Sequence, residues 1–256
     1  MRNVLSEWPG ILWLVRHGES AGNLARDRAQ AAGIARIDIT ERDVDVPLSP
    51  RGREQSAALG AWFAGLASDG RPEVVLVSPY QRAIATAEII REACAAGTEI
   101  PLVIDERLRE KEFGILDRLT HQGVEQFHPE QAELRKHVGK FYHRPPGGES
   151  WCDVILRLRS ALHTLSLHHA GKRVLVVSHQ VVVLCFRYLL ENLNERELLA
   201  IDAQGDVANC SVTDYVCCTA SESPSQLLLR QYNWVAPLRE GGAPVTAEPD
   251  PSSANR

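Results

Sequence analysis

The chain predicts an α/β fold, a three-layer, doubly wound, mostly parallel sheet with helices on both faces. Three observations carry that expectation. Apolar runs of strand length recur at Ile11 to Val15, Val74 to Val77, Pro101 to Ile104 and Arg173 to Val177. Stretches with apolar residues at helical spacing separate them, which gives the order βαβαβαβα. Several of the runs break abruptly at polar residues, the first at Arg16-His17-Gly18. In such sheets ligands sit beyond the carboxyl ends of the strands, so those breaks are where function is expected.

At 256 residues the chain can bury a sizeable core. It is expected to hold one domain, residues 1–239, with residues 240–256 as a disordered tail of Gly, Pro, Ala, Ser and acid. A net charge of -5 argues against nucleic acid as a partner and makes any basic site local. No apolar run approaches a membrane span, and no basic segment leads into a signal core, so no membrane partner is expected. Cys94, Cys152, Cys185, Cys210, Cys217 and Cys218 form no CxxC pair, which suggests a reduced, cytoplasmic protein. Asn209-Cys210-Ser211 has a glycosylation pattern but lacks secretory context. Nothing in the sequence speaks to oligomeric state.

Taken in order, Ala21 to Pro47 reads as a long loop or short helical excursion of mixed charge. Arg26, Arg28, Arg36 and Arg42 there are offset by Asp27, Asp38, Glu41, Asp43 and Asp45, and are expected to be surface charge. Ser49-Pro50 opens a helix as N-cap and first helical residue, with Leu59, Trp62, Phe63 and Leu66 on its core face. After the second strand, Ser78 and Gln81 fit a capping box with Pro79 at the first helical position. That places Arg82 in a first helical turn, where it opposes the helix dipole unless an anion is near. Ser150 and Asp153 form a second box ahead of a helix burying Val154, Leu158, Ala161, Leu162 and Leu165. His163, His168 and His169 are read as a solvated face rather than a metal site. The fourth strand breaks at Ser178-His179-Gln180, a helix runs from about Val181 to Asn192, and Val212 to Cys218 and Leu227 to Tyr232 form the expected sheet edge.

Four strand ends thus offer Arg16-His17, Arg82, Glu110 and His179. Two guanidiniums and two charged imidazoles would repel by about 4 kcal/mol per pair at 4 Å in an effective dielectric of 20. Only a dense anion makes such a cluster favourable, and arginine forks match phosphoryl oxygens in bidentate geometry. A neutral imidazole is a competent nucleophile near pH 7, and neighbouring cations keep it unprotonated. A carboxyl group can protonate a departing alkoxide and later deprotonate a water.

The ordered set Arg16-His17-Gly18-Glu19-Ser20 with Asn23, Leu48-Ser49 before Gly52, Ser78 to Arg82, Leu108 to Glu110 with Gly114, Gly147 to Ser150, Ser178-His179 and Asn209 to Val212 resembles the histidine phosphatase (phosphoglycerate-mutase-like) superfamily. The resemblance runs from about residue 11 to 215. It implies a phosphoglycerate-mutase-like fold and a histidine acid-type phosphatase, a phosphoric monoester hydrolase that needs neither cofactor nor metal. His17 would be the nucleophile that becomes phosphohistidine, with Arg16, Arg82 and His179 holding the phosphoryl group, Asn23 adding a contact and Glu110 as acid/base. Gln180 stands where many members have glycine, and fructose-2,6-bisphosphatases share the His-Gln pair, which points to a sugar phosphate among small phosphorylated substrates. Only 36 residues separate Glu110 from Gly147, where mutases carry a longer insertion, and a shorter cover favours water as the acceptor. The alternatives are a phosphoglycerate-mutase-type transferase and a non-catalytic phospho-ligand-binding protein. Glu112 is the alternative acid, and Lys111, Tyr142, His143 and Arg144 are further candidates for substrate contact.

Overall fold

The structure, a computed structural model, describes residues 8–95, 99–218 and 226–247. Its strands are β1 (Ile11–Arg16), β2 (Val74–Val77), β3 (Leu102–Ile104), β4 (Arg173–Ser178), β5 (Val212–Cys218) and β6 (Gln226–Trp234). Its helices are α1 (Ala21–Ala31), α2 (Pro50–Gly65), α3 (Gln81–Cys94), α4 (His121–Phe127), α5 (Pro129–Val138), α6 (Trp151–His168), α7 (Gln180–Leu190), α8 (Glu195–Gln204) and α9 (Ala236–Glu240). The sheet order is β3-β2-β4-β1-β5-β6. Strands β1 to β4 pair in parallel, while β5 and β6 run antiparallel along one edge. The expected α/β class and mostly parallel sheet are therefore present.

Period-two alternation along the strands divides the core into two layers. Leu12, Leu14, Leu76, Val174 and Val176 face Val154, Leu158, Leu162 and Leu165 of α6 and the apolar length of α7. Trp13, Val15, Val75, Val77, Leu175 and Val177 face Leu59 and Phe63 of α2 and Ala83, Ala87 and Ile90 of α3. Trp13 meets Phe63 edge to face, with centroids 5.3 Å apart. Pairing with β4 in the register Ile11↔Arg173 to Arg16↔Ser178 holds Arg16 at the end of β1, where its buried guanidinium is hydrogen-bonded.

Local chemistry agrees at most helix starts. Ser49 Oγ accepts from Gly52 N, and Ser150 and Asp153 close a full capping box. One open alternative is decided and two expectations change. Ala21–Ala31 is a helix, capped by Ser20 with Asn23 as the reciprocal partner. Ser78 does not cap α3: that helix begins at Gln81 behind Tyr80, with no side-chain cap, so Pro79 precedes it. The stretch expected as a tail packs on α2 as far as it is described: Pro244 O and Thr246 Oγ1 accept from Gln55 Nε2 at 2.9 and 2.8 Å. Residues 248–256 of that stretch lie outside the described residues.

The turn after β1 is pressed against α2. A Cβ on Gly52 would stand 2.0 Å from Glu19 O, and one on Gly18 would stand 2.5 Å from Gly52 O. Glycine at both positions lets loop and helix backbones touch. Glu19 reinforces the contact by accepting from Ser49 Oγ at 2.6 Å and from Arg51 at 3.2 Å.

Candidate active site

Sheet register assembles the site. Arg16 pairs with Ser178, and His17 N donates to Ser178 O at 2.9 Å, so His17 and His179 leave adjacent strands side by side. Their rings meet edge to face with centroids 5.1 Å apart. On the other side of β4, Ser78 N donates to Val177 O, which brings Ser78 beside His179. His17, Asn23, Arg82 and Glu110 line a cavity walled by Ile37, Ile39, Val46 and Phe113.

Hydrogen bonds fix the state of His17. Its Nδ1–H donates to Gly18 O at 2.7 Å, and Arg82 Nε–H donates to its Nε2 at 3.2 Å. The ring is therefore neutral, with the Nε2 lone pair turned toward the guanidinium and the cavity. Burial, then Arg82, then Arg16 hold its pKa well below the usual histidine value. Asn209 Nδ2 and Cys210 N donate to His17 O from the far side. Arg16 is buried and donates from Nη1 to Val207 O at 2.6 Å.

His179 is fully buried and kept neutral by burial and by Arg82. Its Nε2 lies 2.7 Å from Ser78 Oγ, which already accepts from Tyr80 N at 3.3 Å. The Ser78 hydroxyl keeps one proton and a second lone pair, so it serves Nε2 as donor or as acceptor according to the ring's tautomer. The buried Nδ1 of the same ring has no hydrogen-bond partner, and Glu110 Oε2 stands 3.8 Å away. A buried ring nitrogen left without a partner costs about 1–3 kcal/mol, and in the Nδ1–H tautomer a phosphoryl oxygen would satisfy it. Ser78→Ala is expected to lower kcat/KM for a phosphate ester about tenfold, the worth of one misdirected hydrogen bond. Steady-state kinetics on the folded variant checks this.

Glu110 is buried, with Oε1 accepting from Lys111 N at 2.8 Å. Its backbone is braced from α6: Arg157 donates to Arg107 O and Glu110 O, and pairs with Glu149, which also holds Arg109 and Glu112 N. Those bonds and Arg157's charge keep the Glu149 carboxyl low despite the opposing effect of burial. Glu112 points elsewhere and accepts from Tyr80 OH at 3.1 Å.

His17, Arg82, Glu110 and Asn23 line the cavity, while Arg16 and His179 are buried off its wall. His179 lies against His17 and Glu110, and Arg16 is close enough for its charge to act on His17. Asn23 Oδ1 is committed to the Ser20 cap, accepting from Ser20 N and Oγ, so its amide NH2 is the group available to a ligand. Gln180 is not on the cavity wall; its Nε2 donates to Asp206 Oδ1 at 2.8 Å. Tyr142 and Arg144 are exposed, Arg144 pairing with Asp153, whereas Lys111 and His143 are buried off the wall. Burial and the charges of Arg135 and Lys111 push the His143 pKa down to about 4.

Arg28, Arg36, Asp38, Glu41, Arg42 and Asp45 are exposed as expected, but two charges of the 24–47 segment turn to the site. Arg26 is buried and lines the cavity, and Asp43 pairs with Arg82 at 2.9 Å. Asp43, Ser78 and Asn209 are the partners that motif spacing left out or misplaced. The Ser-Pro dipeptide after β2 and the Asn209 to Val212 motif were local signals for Ser78 and Asn209, whereas Asp43 had none. Among the described residues no group of three or more His, Cys, Asp or Glu side chains is gathered to hold a metal ion.

The histidine phosphatase superfamily (branch 1) matches residues 12–223. The chain belongs to this superfamily. Among relatives, the "Probable phosphoglycerate mutase GpmB" of Photorhabdus laumondii is 32% identical over 176 residues, covering 68% of this chain and 71% of that one. A "Probable fructose-2,6-bisphosphatase" of Schizosaccharomyces pombe is 31% identical over 188 residues, and the 6-phosphofructo-2-kinase/fructose-2,6-bisphosphatase of Gallus gallus 29%. Both alignments cover 73% of this chain but only 40% and 34% of those relatives. Bacillus stearothermophilus YhfR shares the superfamily fold with a TM-score of 0.68, at 25% identity over 89% of this chain and 98% of that one. A mycobacterial glucosyl-3-phosphoglycerate phosphatase shares the fold with a TM-score of 0.64 at 22% identity, covering 88% of this chain and 98% of that one.

Proposed function

We propose that this chain is a metal-independent phosphomonoester hydrolase that works through a phosphohistidine on His17. The observation that carries the reading is the single tautomer of His17, neutral, with Nε2 facing the cavity beside Arg82. The phosphoryl group of a small ester binds among Arg16, Arg82, His179 and the Asn23 amide. His17 Nε2 attacks phosphorus; a P–N bond forms, the ester P–O bond breaks, and the alkoxide takes a proton from Glu110. The phosphorylated ring is cationic, so the Nδ1–H to Gly18 O bond strengthens as the charge develops. Glu110, now ionised, takes a proton from water whose oxygen attacks phosphorus, releasing inorganic phosphate and restoring neutral His17.

The substrate class is a small phosphorylated metabolite, a sugar phosphate among the candidates. Six free cysteines suit a reducing, cytoplasmic setting. No helix among the described residues is long and apolar enough to cross a membrane. The catalytic unit includes the packed stretch up to Thr246, whose backbone and hydroxyl hold Asn209.

Hydrolysis of a chromogenic phosphate ester in excess chelator is expected to proceed at the rate without chelator. A reaction quenched in alkaline detergent should leave base-stable, acid-labile phosphate on the protein. Loss of all turnover with chelator overturns the mechanism. The GpmB relatives favour a second reading, transfer to an acceptor hydroxyl. Radiolabel that passes to a phosphoglycerate acceptor faster than to water would establish it.

A further inference from the structure

Arg82 has five N–H donors, and where they go is informative. Nε–H faces His17 Nε2 at 3.2 Å. Nη1 donates to Asp43 O at 2.6 Å and stands 2.9 Å from Asp43 Oδ1, while Nη2 reaches Asp43 Oδ2 at 3.3 Å. The Asp43 carboxylate therefore grips the guanidinium end-on, across both terminal nitrogens. The other face of the fork, made of Nε–H and the second Nη2–H, stays turned toward His17. A guanidinium offers two parallel donors along that edge too, which suits a phosphoryl group held side-on.

We infer that Asp43 is a positioning residue for the proposed phosphoryl transfer, orienting the Arg82 fork so that its Nε/Nη2 edge meets the phosphoryl group beside His17 Nε2. The inference rests on the hydrolase reading above. Its rival is a plug, a carboxylate that occupies the anion's place and must swing away. The anchoring of the segment decides between them. Asp43 sits in a single 3-10 turn, Asp43–Asp45, closed by Asp45 N donating to Arg42 O at 2.8 Å. Upstream, Arg118 donates to Ile39 O and Glu41 O. Downstream, Val46 is buried, Ala21 N donates to Pro47 O at 3.0 Å, and Leu48 bridges Ser20. A turn tied on both sides to α1 and to the residue after the 114–116 turn is built to hold its side chain still.

Asp43→Ala should lower kcat for a phosphate monoester about tenfold or more, because a misaimed fork loses its fit to the reacting group. Inhibition by inorganic phosphate should stay within threefold of wild type or tighten, since a carboxylate near the dianion is gone. Asp43→Glu should recover part of kcat, and Asp43→Asn less, with one oxygen acceptor in place of two. In an Arg82→Ala background, Asp43→Ala should add nothing, because its effect runs through that guanidinium. An unchanged kcat overturns the inference. So does a joint rise in kcat and phosphate affinity, which marks a plug, or a joint fall of kcat, phosphate affinity and thermal midpoint, which marks a merely structural contact. A wild-type protein that hydrolyses no phosphate monoester overturns the hydrolase reading itself, and an active wild type indifferent to residue 43 overturns only this one.

Discussion

His17→Ala is expected to remove phosphatase turnover by roughly 10³-fold or more, the scale seen when a covalent nucleophile is deleted. It should also remove all acid-labile phosphate from the quenched protein. The fold should survive, since the imidazole's one internal donor bond is to the carbonyl of the next residue. Burial and two arginines hold the ring's pKa well below its ordinary 6.5, so Nε2 stays unprotonated at pH 7 and for some way below 6.5. The acid limb of the wild-type kcat/KM profile is accordingly expected below 6.5, not at it. Full activity in the Ala variant would refute the nucleophile. The same depressed pKa bears on stability. An unfolded chain binds protons at His17 and His179 that the native state refuses, so stability is lost as pH falls through about 6.5 and below. Thermal midpoints across that range, with and without phosphate, measure it.

Glu110→Gln should lower kcat/KM by about 10²- to 10⁴-fold on an alkyl phosphate, the usual worth of a general acid. A nitrophenyl ester, whose leaving group needs no proton, should lose much less in kcat/KM, because that ratio reports the phosphorylation step. Its kcat should still fall, since hydrolysis of phosphohistidine needs the same group as base. In the wild type a carboxyl that must arrive protonated puts the turnover maximum on the acid side of neutral. Equal losses on the two esters would assign Glu110 to binding alone. Glu112 accepts from Tyr80 OH and is absent from the cavity lining, so Glu112→Gln should lose far less.

Much of this geometry was legible from one dimension because strand register is rigid. Once β1 and β4 are recognised as apolar runs, adjacent pairing alone puts His17 beside His179. Helix starts with a hydroxyl or acid three residues ahead were equally plain at Ser49 and Ser150. Side-chain direction was not. Ser78 satisfies the spacing of a cap, yet its hydroxyl gains more by bonding the buried imidazole of His179, and the helix starts behind Tyr80 without it. Asn23 fits a phosphate ligand and an N3 cap equally well, and the structure uses its oxygen for the cap and leaves its amide for the cavity. Gln180 turns to Asp206, a pairing across 26 residues with no periodic trace. Asp43 lay hidden among balanced charges, because a contact 39 residues away from Arg82 depends on how a whole segment packs.

The placement of β1 also has a meaning in time. It is made before the other described strands, yet its two neighbours in the sheet are β4 and β5, which follow it by more than 150 residues. Arg16 waits for Val207, 191 residues downstream, and the His17 carbonyl waits for Asn209, 192 residues downstream. At ordinary synthesis speeds that is a delay of roughly 10–40 s. During it the growing chain carries its reactive histidine without the groups that tune it, and an apolar strand without partners. A translation product that stops short of residue 207 is chemically silent and prone to stick. His17 gains its full set of partners only once residue 209 has been made.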